Sequence, residues 1–148
     1  MRIERVSRTG ASVTITDVKA FANISTTADD VMLQRLLNSA MNKVEEVANT
    51  SLSINTLKFY SEKKVNEITL PLPPITSVTS VIDVESGTAV PYTKIDNRLK
   101  LDSLSDVVVT YVTSAVADDE LKQLAIEITS LMYDGEDYEK TLQKIPRL

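Results

Sequence analysis

The chain has 148 residues, with 16 Lys and Arg against 21 Asp and Glu for a formal charge of -5, and it lacks Cys, His and Trp. Without Cys or His it has no disulfide, zinc–thiolate or iron–sulfur site, no cysteine nucleophile, no Ser-His-Asp chemistry and no histidine pH switch. The acid excess argues against nucleic-acid binding as the main task, because such binders neutralise phosphate with a basic face. No apolar run approaches the roughly 20 residues that span a bilayer, and the charged first residues have no apolar run behind them, so neither a membrane segment nor a signal peptide is expected. The default compartment is the reducing interior of a cell. Three glycines, Gly10, Gly87 and Gly135, leave no glycine-rich phosphate loop.

Residues 1–12 have no clear period and are expected to be a loosely held extension. Thr14-Ile15-Thr16-Asp17 reads as a capping box that opens a short helix to Ala22, with Val18 and Phe21 on one face. Thr27-Ala28-Asp29-Asp30 reads as a second capping box, with its acids at the positive end of the helix dipole. Behind it Leu33, Leu36, Leu37, Ala40, Met41, Val44, Val47 and Ala48 recur at three- and four-residue steps. They predict one amphipathic helix from Ala28 to Ala48, about 30 Å long. Asn49 suits its left-handed stop.

The period then changes to two. Leu57 and Phe59 predict a strand, followed by a solvated turn over 61–64 and a short strand at Ile68 to Leu70. Pro71, Pro73 and Pro74 lack ladder N–H groups and predict a stiff extended connector rather than a central strand. Residues 78–84 predict a strand, 85–88 a turn with Gly87 at positive φ, and Val90, Tyr92 and Ile95 its return strand. A turn at Asp96-Asn97-Arg98 leads to Leu99 and Leu101. Residues 107–112 read as a central or covered strand, apolar on both faces. Asp118-Asp119-Glu120 opens a last helix whose stripe is Leu121, Leu124, Ala125, Ile128, Leu131 and Met132, stopped at Asp134-Gly135. The fold class is α+β: a short N-terminal helix, a long amphipathic helix, an antiparallel β-hairpin region, a C-terminal helix and an extended tail.

This order of elements, and several strings in it, resemble the small head–tail connector (adaptor) proteins of long-tailed bacteriophages and prophages. The strings are Thr14-Ile15-Thr16-Asp17-Val18-Lys19-Ala20-Phe21, the acidic opening Asp29-Asp30 running to Val44-Glu45-Glu46, and Leu70-Pro71-Leu72-Pro73-Pro74-Ile75-Thr76-Ser77-Val78-Thr79-Ser80-Val81. Val109-Thr110-Tyr111 and the helix from Leu121-Lys122-Gln123-Leu124-Ala125 to Leu131-Met132-Tyr133 complete the set. The chain departs from the family at Ser114, Asp118-Asp119 and Asn49, where Gly, Pro and Gly are usual. These are local turn details and leave the element order intact.

The resemblance implies a structural virion protein with no catalytic, cofactor or metal residues. Its copies would form a ring of about twelve beneath the portal protein, joined by heterologous contacts. The ring would extend the DNA channel without specific DNA binding and dock a stopper or tail-completion protein. It would be made in the host cytoplasm and sit at the head–tail junction. Residues 13–137 would be a single connector domain, between an extension at 1–12 and a tail at 138–148. Candidate subunit contacts are Gln34, Asn38, Asn42 and Glu45 on the long helix, and Glu85, Ser86, Gly87 and Thr88 in the turn. Candidate portal contacts are Tyr138, Leu142, Ile145, Arg147 and Leu148, spaced as in a segment that orders on a partner. The alternatives are another neck protein, such as a stopper or tail terminator, or a carboxylate- or metal-dependent hydrolase. For the latter, no carboxylate pair is selected by spacing. The acidic clusters read first as helix-start charge and solvated surface, and secondly as a lumen that repels DNA mildly.

Overall fold

In a computed structural model, which describes residues 1–146, the chain divides into two compact units. One comprises Met1–Gly10 and Ser53–Ala115 and is all β; the other comprises Ala11–Leu52 and Val116–Leu148 and is helical.

The β unit contains β1 (Arg2–Thr9), β2 (Ile54–Tyr60), β3 (Val65–Thr69), β4 (Ile75–Asp83), β5 (Tyr92–Ile95), β6 (Arg98–Ser105) and β7 (Val107–Thr113). Four strands form a sheet in the order β1-β2-β7-β4, and three form a second in the order β3-β6-β5. All pairings are antiparallel. The expected central strand is β7, flanked by β2 and β4. Its burial alternates between full and partial, so one face enters the core and the other is covered less completely. Leu57, Phe59, Val81, Val109 and Tyr111 of the first sheet share one core with Ile68, Leu99 and Leu101 of the second.

Two local expectations change here. Residues 2–9 are not a loose extension: they are β1, registered on β2 from Arg2↔Tyr60 to Thr9↔Ile54, with a bulge between Arg5 and Ser7. The hydroxyl of Tyr60 donates to the Glu4 carboxylate at 2.9 Å, and the Arg2 guanidinium lies 3.9 Å from the Tyr60 ring centroid. The second change concerns the return strand after the 85–88 turn. It keeps only a bridge at Ile82↔Ala89 and an N–H donated by Val90 to Val81 O, then leaves the first sheet. As β5 it pairs instead with β6, through a two-residue turn in which Asp96 has φ +53°.

The proline segment is a connector, as its missing donors require, and it is strapped at both ends. Leu70 N–H donates to Asn97 O, the Tyr111 hydroxyl donates to Pro71 O at 2.9 Å, and Ser114 N–H donates to Pro74 O. Burial pushes the Tyr111 phenol well above its ordinary pKa, so it stays a donor throughout the physiological range.

The helical unit contains α1 (Ile15–Ala22), α2 (Asp30–Ala48), α3 (Asp119–Tyr133) and α4 (Glu139–Leu142). Asp17 caps α1 by accepting the Thr14 N–H at 2.9 Å, and Asn23, at φ 59°, closes it. Asn49, at φ 52°, closes α2. Gly135, at φ +71°, follows the end of α3. The α2 stripe enters the core with Leu33, Leu37, Ala40, Met41, Val44 and Ala48, against Leu121, Leu124, Ala125 and Ile128 of α3. Each such aliphatic side chain contributes roughly 1.5–3 kcal/mol on full burial, apart from the smaller alanines.

The second capping box does not form, and α2 begins at Asp30 rather than Ala28. Its two acids are held by other partners: Asp29 accepts the Tyr133 hydroxyl at 2.6 Å and Asp30 takes Lys19 Nζ at 2.8 Å. Phe21, expected inward beside Val18, is about half exposed (49%), whereas Val18 is fully buried.

Candidate assembly surfaces

The long-helix candidates separate into two kinds. Gln34, Asn38 and Asn42 fall one turn apart on the exposed side of α2, with Gln34 Nε2 donating to Asn38 Oδ1 at 3.0 Å. They form a short row of amides on a rigid helix, a surface of donors and acceptors without net charge. Glu45 does not share it. It follows Met41 by one turn, so it points inward, and it is fully buried. Its carboxylate accepts the Leu52 N–H at 2.8 Å and holds the segment after the helix stop. Charged residues are rarely buried unless paired, and a carboxylate committed to a backbone donor is structural. Glu45 is therefore corrected from a contact residue to an internal brace.

The turn candidates are presented outward. Glu85, Ser86, Gly87 and Thr88 are all exposed. The turn is stiff because Asp83 Oδ1 accepts the N–H groups of both Glu85 (2.9 Å) and Ser86 (3.0 Å). Gly87, at φ +69°, donates its N–H to Asp83 O, and the hydroxyls of Ser86 and Thr88 lie 2.7 Å apart. The hydrogen bond from the Ser86 backbone, helped by that from Glu85, holds the Asp83 carboxyl below its ordinary value.

The tail candidates are mostly folded onto their own unit. Ile145 is buried in the helical core, and Tyr138 and Leu142 pack against it half-buried. Lys43 Nζ lies 5.6 Å from the Tyr138 ring centroid. The spaced apolar residues that suggested ordering on a partner thus order on α2 and α3 instead, and α4 results. What this segment leaves outside is Glu139, Lys140, Gln143, Lys144 and Pro146. Arg147 and Leu148 lie outside the described residues.

Other exposed apolar side chains escaped the sequence reading. Val31 (70% exposed) and Met32 open α2, and Ile3 and Val6 lie on β1. Val31 and Met32 stand before the stripe that begins at Leu33, which was a readable sign that they face out. A cleft of about 330 Å³ is lined by Pro73, Pro74, Ile75, Lys94, Asp96 and Asn97. It holds one ammonium and one carboxylate but no hydroxyl nucleophile beside a base. Among the described residues no group of three or more Asp or Glu is placed to hold a metal ion, and no helix is long and apolar enough to cross a membrane.

The charge is unevenly divided. The β unit carries nine basic and eight acidic residues, the helical unit seven basic and thirteen acidic, so the net acidity belongs to the helical unit.

An α+β chain with an exposed amide row, a braced outward turn and exposed apolar side chains has the features of a contact-making protein. Residues 12–111 match the family described as Phage gp6-like head-tail connector protein, and the chain belongs to that family. Similar folds occur in solved assemblies. A chain from the neck of an empty GTA particle, computed with C6 symmetry, superposes with a TM-score of 0.73 at 14% identity, covering 100% of this chain and 96% of that one. A chain from the virion of a native gene transfer agent particle gives 0.65 at 16% identity, and one from a native neck computed with C12 symmetry gives 0.65 at 14%, both with the same coverage. At these identities the likeness is one of fold. No curated protein matches the chain.

Proposed function

We propose that the protein is a non-catalytic adaptor of a phage-like particle. Copies of it close into a ring beneath the portal, prolong the DNA channel and offer a platform to a stopper or tail-completion protein. The observation that carries this reading is the family match over 12–111, supported by the fold shared with chains from particle necks. The ring has about twelve copies, and its contacts are heterologous, as closure by rotation requires. The amide row Gln34, Asn38 and Asn42 and the turn 85–88 are its proposed subunit contacts. A flat amide face and a stiff turn favour docking, because little side-chain or loop freedom is lost on contact.

Portal docking falls to the segment from 138 onward, through the outward Lys140, Gln143 and Lys144 rather than the buried Ile145. The acidic helical unit suits a channel through which DNA slides, since mild repulsion keeps phosphate from binding. The protein is made in the host cytoplasm and ends at the head–tail junction of the particle.

Native mass spectrometry and electron microscopy, with the chain alone and with its cognate portal ring, test this reading. Rings stacked on portals are the expected result. A chain that stays monomeric beside assembled portals, or that shows metal-dependent hydrolase activity, would overturn it. Lys140→Glu with Lys144→Glu is expected to weaken portal binding while leaving ring mass unchanged.

A further inference from the structure

We infer that the ring is closed by helix-on-sheet packing: the exposed side of α2 in one copy lies across the solvent face of the four-stranded sheet in the next. This deepens the adaptor reading, on whose ring it rests, by naming what the amide row meets.

The sheet face follows from register. Residues paired across neighbouring strands point to the same side, and successive residues alternate. β7 buries Val107, Val109 and Tyr111, so Val108, Thr110 and Val112 face out, half-buried. Lys58 and Ser80 flank Thr110, and Tyr60 and Ile82 flank Val108. An antiparallel sheet with one face in water normally carries polar residues there. Val108, Val112 and Ile82 break that pattern, and they belong to neither hydrophobic core. The three-stranded sheet differs: its corresponding face carries Glu67, Arg98 and Lys100. At β4 a neighbour can use only the face, because the edge is taken within the chain. Val90 N–H donates to Val81 O, and Asp83 N–H donates to Thr88 O.

Charge selects the helical unit of a second copy as the occupant. That unit has seven basic against thirteen acidic residues, whereas the β unit has nine against eight. Two helical units in contact would set acidic surface against acidic surface, and a helical unit on a β unit avoids this. A ring closed by rotation needs two different patches on every copy, and the two units supply one each.

The spacing agrees. Asn38, Asn42 and Glu46 stand at four-residue steps on the exposed side of α2. Among the described residues neither Glu46 nor Lys58 has an ion-pair partner. With Glu46 on Lys58, Asn42 and Asn38 fall about 6 and 12 Å further along the helix. Thr110 and Ser80 lie about 5 and 10 Å from Lys58 across the strands. The two amides therefore reach the two hydroxyls, which donate and accept in turn. A helix about 10 Å wide laid along this row also covers Val108 and Val112 on its two sides. Arg35, about 16 Å from Glu46, clears the sheet and keeps its charge in water.

Since the chain has no Cys, cross-linking is clean. Two single variants, Asn42→Cys and Thr110→Cys, are mixed with the cognate portal ring and treated with a short bis-maleimide, one variant being isotope-labelled. The expected product is a dimer holding one chain of each kind, which no link within a chain can mimic. Asn38→Cys mixed with Ser80→Cys is expected to link as well, and serves if either first variant fails to fold. Thr93→Cys, on the second sheet, is expected not to link to Asn42→Cys. Lys58→Glu should raise the concentration needed for ring formation about three- to fivefold, and Glu46→Lys in the same chain should restore it. Wild-type protein is imaged in parallel. Rings without the mixed dimers, or a dimer formed as readily by Asn42→Cys alone, overturn this contact and leave the adaptor reading standing. Neither rings nor mixed dimers overturns both.

Discussion

Replacing Glu45 by Ala separates a brace from a contact residue. The carboxylate is fully buried and accepts the Leu52 N–H at 2.8 Å, so its removal leaves a buried donor without that acceptor. Hydrogen bonds to charged groups contribute roughly 1.5–3 kcal/mol, and the space left by the side chain adds to the loss. We expect Glu45→Ala to cost about 3 kcal/mol, which lowers the Tm by about 6–12 °C in a chain of this size. Glu45→Gln keeps a carbonyl acceptor of similar shape and loses only the charge-assisted part, so its cost is about half. The assay is thermal and urea unfolding followed by far-ultraviolet circular dichroism, with native mass spectrometry of the folded fraction. A Glu45→Ala protein with unchanged unfolding but lost assembly refutes the reasoning and returns Glu45 to the subunit contact. So does a Gln variant that is worse than Ala.

Gly10 stands at φ +53°, and a Cβ there would meet Ile54 Cδ1 at 2.9 Å. Gly10→Ala should therefore destabilise the chain by about 1–2 kcal/mol, read from the urea midpoint. Tyr111→Phe deletes the hydrogen bond to Pro71 O and should cost about 1 kcal/mol, measured the same way. The Asp83 carboxyl is held below its ordinary value near 3.8 in the folded chain by its turn N–H groups. Its contribution to stability is thus complete above that value and lost as pH falls through the lower folded one. Acid titration of stability below about pH 4 should be shallower in Asp83→Ala than in the natural chain; identical slopes would refute the assignment.

The helices were legible because their signals are local. The α2 stripe needs only a 3.6-residue period, and Asn49 needs only its tolerance of the left-handed region. The Thr27–Asp30 box was equally local but lost to distant partners, Tyr133 and Lys19, that no window around residue 30 contains. β1 was missed for the same reason. Its mixed charges have no period of their own, and what orders it is a register on β2 about fifty residues away. The fate of β5 was hidden too, since a turn with Gly87 reads as a hairpin whether or not the outgoing strand stays in its sheet. Among the site residues, Gln34, Asn38 and Asn42 were placed outside correctly by helical spacing. Glu45 was misplaced because charge was read as exposure, although its position one turn beyond Met41 pointed inward. The tail residues were rightly seen as apolar and spaced, but their partner proved to be the chain's own helical core.

Each unit is made from two stretches of chain, with 11–52 inserted between β1 and β2, and 116–148 following β7. During synthesis β1 leaves the ribosome well before β2, and α2 well before α3. Both cores thus wait on partners made much later, and neither half of the polypeptide can be expressed as a finished piece. Long-range pairings of this kind slow folding and leave edges exposed in the interval. The same threading lets the β unit hold all of its strands once residue 115 is made, whereas the helical unit still lacks α3 at that point.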